Sequence, residues 1–249
     1  MSLSKNKISY IQSLKQKKYR SQYKTFVAEG SKLIFDLLPH MKCQLLVLAD
    51  DMKENTISFQ IEETIIATQT EIKKATHLAT PPDVIAVFYQ KEHDYSQIDL
   101  THKLSLILDS VQDPGNLGTI IRIADWFGIE NIICSHDTAD VYNTKTVQAT
   151  MGALSRVKIH YANIIELIAK YSNSHIYGTF LNGENIYTEK LTPEGFIVMG
   201  NEGKGIRPEI ENLITHRLYI PSFSTNTTTS ESLNVAVATA VVCSEFRRR

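Results

Sequence analysis

Cysteine is scarce in this sequence of 249 residues: Cys43, Cys134 and Cys243 are the only three, odd in number and far apart. That count excludes a disulfide framework, and no Cys or Cys/His spacing suggests a zinc site. The pattern suits a reducing compartment, so the expected location is the cytoplasm. Long apolar runs are missing too. None approaches the roughly 20 residues of a membrane-crossing helix, and the lysine-rich start has no apolar stretch behind it to act as a signal peptide. There is no internal repeat, and low complexity is confined to Thr225–Ser230. The glycine-rich Gly200-Asn201-Glu202-Gly203-Lys204-Gly205 is followed by Ile206, which breaks the Walker pattern, and it lacks the order of a dinucleotide fingerprint.

What is present starts with charge. The net charge of −1 hides an asymmetry, because residues 1–32 carry eight basic residues against Glu29 and stand at +7. Such a segment points either to a polyanionic partner or to a solvated helix face. With 43% hydrophobic residues the chain can bury a sizeable core, in one large or two modest domains. Residues 1–92 read as a small α/β domain: a basic helix from Lys5 to Tyr19, a strand from Lys24 into a loop at Gly30, a helix over Ser31–Leu38, and strands at Leu45–Leu48, Thr64–Ala67 and Val84–Tyr89. Polar residues 93–103 read as a linker. Residues 104–249 alternate strand and helix patterns as a mostly parallel α/β sheet with helices on both faces requires. Strands are expected at Leu106–Leu108, Asn131–Cys134, Val157–His160, His175–Leu181 and Gly195–Met199, with helices from Leu117, Asn163 and Leu233.

Three loops hang off the ends of apolar strands in this half, where ligands of parallel sheets bind. The first, Asp113-Pro114-Gly115-Asn116, opens a helix that carries Arg122 in its first turns. An arginine there is either functional or a surface or ion-paired residue. The second is Gly200–Gly205, whose glycines allow close backbone approach or a tight turn. The third, Glu231-Ser232-Leu233-Asn234, precedes a Val/Ala-rich helix, and Ser232 alone reads most simply as an N-cap.

Taken together, Asn116…Arg122, Gly200-Asn201-Glu202-Gly203 and Ser232-Leu233-Asn234 resemble, in order and spacing, the three signature motifs of the SpoU/TrmH family of RNA 2′-O-ribose methyltransferases. Leu181-Asn182-Gly183 fits the turn that precedes the second motif. Arg20…Phe26-Val27-Ala28-Glu29-Gly30 and Thr80–Val87 are similar, more loosely, to the family's small substrate-binding domain. The resemblance implies S-adenosylmethionine as methyl donor, a C-terminal domain closed by a trefoil knot, a homodimer that completes each site, and RNA, ribosomal before transfer RNA, as substrate. It implies no metal, since the sulfonium already activates the methyl group.

The same resemblance assigns roles. Gly200, Asn201, Gly203 and Gly205 would hold the cofactor with Ile220, Ser232, Leu233 and Asn234, the glycines letting main chain reach the adenosine and Ile220 and Leu233 flanking the adenine. Arg122, Asn116, Glu202, Ser232 and Asn234 would form the catalytic set. Glu202 reads equally as a carboxylate tying neighbouring loops together. A guanidinium stays protonated, so Arg122 is expected to clamp the phosphate beside the reacting ribose and to stabilise the developing alkoxide, rather than act as base. Lys15, Lys17, Lys18, Arg20 and Lys24 would contact RNA phosphates. Residues 222–231 depart from the family in being longer and free of glycine. That departure leaves room for an RNA-binding relative without catalysis, and an unknotted C-terminal domain would point to a transferase acting on small molecules.

Overall fold

The computed structural model describes residues 2–50, 52, 59–93, 101–224 and 231–248. From the N-terminus the elements are α1 (Lys5–Ser13), α2 (Lys17–Tyr23), β1 (Thr25–Glu29), α3 (Ser31–Leu37), β2 (Cys43–Ala49), β3 (Ile61–Ala67), α4 (Gln69–Ala75) and β4 (Val84–Tyr89). There follow β5 (Leu104–Leu108), α5 (Pro114–Trp126), β6 (Asn131–Cys134), α6 (Thr144–Thr150), β7 (Lys158–Tyr161) and α7 (Ile164–Lys170). The last are β8 (Ile176–Phe180), β9 (Glu184–Asn185), β10 (Gly195–Met199), α8 (Pro208–Glu211), β11 (His216–Tyr219) and α9 (Val235–Arg248). These elements form two compact units, Met1–Glu92 with Asp140–Arg156, and His93–Ala139 with Val157–Arg249.

The first unit is built on a four-stranded sheet of order β1-β4-β2-β3, in which β2 and β3 run parallel and the other pairs antiparallel. Beneath one face, Ile11, Leu14 and Ile72 from the helices pack on Val27, Val47, Ile65, Ile85 and Val87. Instead of one helix over Lys5–Tyr19 there are two. The Arg20 guanidinium donates to the carbonyls of Leu14 and Lys15, at 2.8 and 2.7 Å, and so satisfies the open end of α1 while Gln16 turns extended. Helix α4 has only Ile72 and Ala75 buried; its sequence signal is the reciprocal capping box of Thr68 and Glu71.

Residues 140–156 depart from the expected boundary at residue 104, because they pack with the first unit. Asp140 receives the Arg20 guanidinium at 2.6 Å, and the Tyr142 ring stacks on Phe26 with 4.8 Å between centroids. The Tyr142 hydroxyl donates to the Lys91 carbonyl, and Gln148 Nε2 donates to the Glu29 carbonyl, both at 2.9 Å. Gly152, at φ +92°, lies so close to Asp36 that a Cβ would meet the Asp36 Cβ at 2.7 Å. The expected linker falls mostly on residues 94–100, outside the described residues.

The second unit is a seven-stranded sheet of order β7-β6-β5-β10-β8-β11-β9, parallel throughout. Strands β5, β6 and β10 are buried at every position, as expected of strands covered on both faces. Chain order reverses between β5 and β10, so the loops that follow these two strands open onto a crevice at the carboxyl edge. Helix α5 starts at Pro114 behind Asp113, whose carboxylate accepts the Asn116 N–H at 2.9 Å. Helices α5 and α9 are tied at their ends: Arg247 Nε and Nη2 donate to the carbonyls of Phe127 (2.8 Å) and Gly128 (3.1 Å).

Candidate active site

The three loops converge at the carboxyl edge of the seven-stranded sheet. Asn116 Nδ2 donates to Glu202 Oε1 at 3.0 Å, and Asn234 Nδ2 donates to Asn116 Oδ1 at 3.0 Å. One amide side chain thus joins partners 86 and 118 residues away in sequence. Asn234 Oδ1 also accepts the N–H groups of Ala236 and Val237, at 3.0 and 3.3 Å. The cap of α9 is therefore Asn234. The hydroxyl of Ser232 is exposed and has no hydrogen bond among the described residues, which corrects its reading as the N-cap.

The glycine-rich loop is a tight hairpin. Asn201 and Gly205 exchange main-chain hydrogen bonds of 2.9 and 3.0 Å, and the N–H groups of Gly203 and Lys204 both donate to Asn201 Oδ1 at 3.0 Å. Asn201 Nδ2 donates in turn to the Ser110 carbonyl at 2.7 Å, fastening the hairpin to the end of β5. A Cβ on Gly200 would stand 2.3 Å from the Gly205 carbonyl carbon, so this glycine serves close approach of the loop to itself. Gly205 takes φ +71°. The amides of Asn201, Gly203, Lys204 and Gly205 are engaged within the loop, which leaves its carbonyls, its open surface at Gly203 and its side chains to face a ligand.

A second latch escaped the sequence reading. Asp109, fully buried at the end of β5, accepts the Arg207 main-chain N–H at 2.8 Å and its guanidinium at 2.7 and 2.6 Å. The signal was there: a carboxylate at the end of an apolar strand needs a charged partner when buried. Beside it, Ser110 Oγ donates to Asp137 Oδ2 at 2.5 Å. Burial pushes the Asp137 carboxyl up, but this bond and one from Ser135 outweigh it and hold the group below its usual range. Arg207 and Asp137 border a cleft of about 990 Å³ that also takes in His136, Tyr161 and Asn163. None of the residues assigned from the motifs lines it.

Apolar surface flanks the hairpin. Leu181 and Ile220 follow the paired ends of β8 and β11, where Phe180 lies beside Tyr219. Leu181 is 69% exposed and Leu233, next to Asn234, is 50% exposed. These side chains fit an adenine face, and the free carbonyls and polar side chains of the hairpin fit a ribose, so the group set suits S-adenosylmethionine. Of the long loop, residues 225–230 lie outside the described residues; Phe223, just before them, is 82% exposed.

Arg122 projects from α5 into solvent with no hydrogen-bond or ion-pair partner among the described residues. It is not part of the Glu202–Asn116–Asn234 chain within this polypeptide. In the first unit Lys15, Lys17, Lys18 and Lys24 are exposed, Lys24 pairing with the equally exposed Glu92 at 2.7 Å. Arg20 is 2% exposed and spent on Asp140 and the end of α1, so the structure removes it from the RNA-contacting set.

Comparison with known proteins identifies the family. The SpoU rRNA Methylase family matches residues 103–244, and the MRM3-like substrate binding domain matches residues 5–86. A Bacillus subtilis protein named 23S rRNA (guanosine(2553)-2′-O)-methyltransferase RlmP is 30% identical, over 99% of this chain and 98% of that protein. A solved structure from Porphyromonas gingivalis, described as a putative RNA methyltransferase of the TrmH family, is 38% identical with a TM-score of 0.85, covering 99% of this chain and 98% of that one. The AdoMet-bound rRNA methyltransferase of Sinorhizobium meliloti is 30% identical with a TM-score of 0.87, covering 100% of this chain and 96% of that one. The chain belongs to the SpoU rRNA methylase family.

Proposed function

We propose that this protein transfers the methyl group of S-adenosylmethionine to a ribose 2′-hydroxyl of ribosomal RNA. The observation that carries the proposal is the Glu202–Asn116–Asn234 hydrogen-bond chain, which unites the three motifs at the carboxyl edge of the parallel sheet. The name of the Bacillus subtilis relative and the bound AdoMet of the Sinorhizobium meliloti structure support substrate and donor. The description of the family matched by residues 103–244, SpoU rRNA Methylase, and the name of the Bacillus subtilis relative support ribosomal over transfer RNA.

In this reading the hairpin Gly200–Gly205 with Ile220, Leu181 and Leu233 holds the donor, and the sulfonium supplies an already activated methyl group. The chain's own residues then orient a ribose hydroxyl and stabilise the charge it develops, contributions that can reach roughly 7–11 kcal/mol for orientation in favourable cases. Asn116 and Asn234 hold the loops in register and Ser232 offers a free hydroxyl to the ribose. Arg122 clamps the adjoining phosphate.

Because Arg122 stands outside the cluster of its own chain, the reading includes a homodimer in which it reaches the partner's donor pocket. The surface around it supports this: on α5 Trp126 is 85% exposed, and on the adjacent α9 Val237 is 51% exposed, an apolar face that a second copy would cover. A trefoil knot closing the C-terminal segment, a cytoplasmic location and a small RNA-binding N-terminal domain belong to the same proposal. Three buried free cysteines suit the location, and among the described residues no helix is long and apolar enough to cross a membrane.

Mapping ribose methylations in ribosomal RNA from cells with and without the protein tests the proposal. One 2′-O-methyl mark should vanish and return with the purified protein and S-adenosylmethionine in vitro. An unchanged map, with no S-adenosylmethionine binding by calorimetry, would overturn it.

A further inference from the structure

We infer that α2 carries a stacking platform for an unpaired nucleotide of the RNA substrate, formed by Tyr19 and Tyr23 within a lysine-rich surface. The inference rests on the proposed RNA methyltransferase reading and deepens it. It identifies what the first unit recognises beyond phosphate charge.

Tyr19 and Tyr23 stand one helical turn apart with rings nearly parallel, 13° between planes and 6.3 Å between centroids. Tyr23 is 43% exposed. Its ring is held from behind by Tyr10 of α1, edge-on at 5.2 Å and 83°. Tyr10 is itself fixed, its hydroxyl donating to Gln44 Oε1 at 2.7 Å and bonded to Thr25 Oγ1 at 2.9 Å. An exposed aromatic ring on so rigid a support loses little freedom on binding, which is the condition for a useful contact.

The surroundings select the occupant. The sequence of α2, Lys17-Lys18-Tyr19-Arg20-Ser21-Gln22-Tyr23, has no acidic residue, and Lys18 Nζ lies 5.7 Å from the Tyr19 ring centroid. Lys15, Lys17, Lys18 and Lys24 are exposed in the same segment, residues 1–32, whose charge is +7. Cations serve any polyanion, but an exposed tyrosine such as Tyr23 adds something only where the polyanion presents flat apolar faces, as nucleobases do. In a duplex those faces are stacked inside, so a ring of this kind engages looped or single-stranded RNA. Gln22, exposed and three residues beyond Tyr19 on the same helix, supplies a donor and an acceptor for a base edge.

Fluorescence anisotropy of the full-length protein with a labelled oligouridine and a labelled blunt-ended RNA duplex tests the platform. Tyr23→Ala should weaken oligouridine binding about tenfold, leave duplex binding unchanged and keep the salt dependence of both. Tyr23→Trp should restore it. Tyr23→Leu keeps the apolar contact with Tyr10 and should bind like Tyr23→Ala, which separates a lost stack from a damaged fold. Lys17→Ala with Lys18→Ala should instead weaken both probes and flatten the salt dependence. Equal oligouridine binding by Tyr23→Ala and the unaltered protein would overturn the platform, as would equal loss on both probes or equally effective competition by polyglutamate. If the unaltered protein methylates ribosomal RNA while Tyr23→Ala binds normally, only the platform fails; if it neither binds S-adenosylmethionine nor either probe, the underlying reading fails too.

Discussion

The basic N-terminal helices and the loop cluster at the carboxyl edge of the parallel sheet both carry side chains that sequence patterns assign to ligands, yet the two regions use them differently. In α1 and α2 the set divides cleanly. Arg20 lies inside, bonded to Asp140 and to the carbonyls that end α1, while Lys15, Lys17 and Lys18 stay in solvent. In the loop cluster Glu202 and Asn234 are exposed and Asn116 half-buried, yet all three are bonded across loops. A long forked guanidinium can be spent entirely on its own fold, whereas short amides and carboxylates tie loops together without leaving the surface. Arg122 fits neither pattern, being exposed and without a partner among the described residues.

The two arginines therefore give the largest contrast. Arg122→Ala should lower methyl transfer by about 10² or more, the usual cost of losing a group that stabilises developing negative charge, while S-adenosylmethionine affinity by calorimetry holds. Arg122→Lys should not restore turnover, because an ammonium cannot reproduce a two-pronged grip on phosphate. Near-normal turnover in either variant would erase the distinction between Arg122 and an ordinary surface arginine.

Arg20→Ala should do the reverse. It strips the partner from Asp140, whose side chain is only 18% exposed, and leaves two carbonyls at the end of α1 without their donor. A loss of about 3 kcal/mol in denaturant stability is expected, at the low end for a broken buried pair because Asp140 retains some contact with water. If stability is unchanged and RNA affinity drops, the arginine belongs with the lysines after all.

Which parts of this contrast could be read from the sequence follows from the range of the interactions. Gly195–Met199 and Val84–Tyr89 were legible as strands because unbroken apolar runs leave little else for the chain to do. The meeting of Asn116, Glu202 and Asn234 was legible only through the family resemblance, since spacing alone cannot bring residues 86 and 118 positions apart into contact. Asp140–Arg156 clusters with the first unit where the sequence placed it in the second, for the same reason: local pattern shows only a polar segment, and it is Phe26, Glu29 and Arg20 that say where it packs. The hairpin glycines were read as close approach to a ligand or as a tight turn, and Gly200 makes room for Gly205 within such a turn.

The cap of α9 sharpens the comparison at smaller scale. Asn234→Ala removes both the bonds to Ala236 and Val237 and the link to Asn116, and should cost about 1 kcal/mol of stability together with a clear loss of S-adenosylmethionine affinity. Ser232→Ala, two residues earlier, should leave the melting temperature where it was and act on turnover alone. Equal destabilisation by the two would return the cap to Ser232.

The smallest effect is expected from Lys24→Ala. Lys24 and Glu92 form an ion pair with both side chains well exposed, 63% and 76%, the kind of contact that contributes little because water screens it and two flexible chains must be held still. The melting temperature should not move. If Lys24 meets a phosphate in the complex, the slope of log affinity against log salt should fall by about 1, uniformly across RNA sequences. A change in stability with no change in slope would place Lys24 with Arg20, spent on the fold itself, and would leave Lys15, Lys17 and Lys18 as the proposed phosphate contacts.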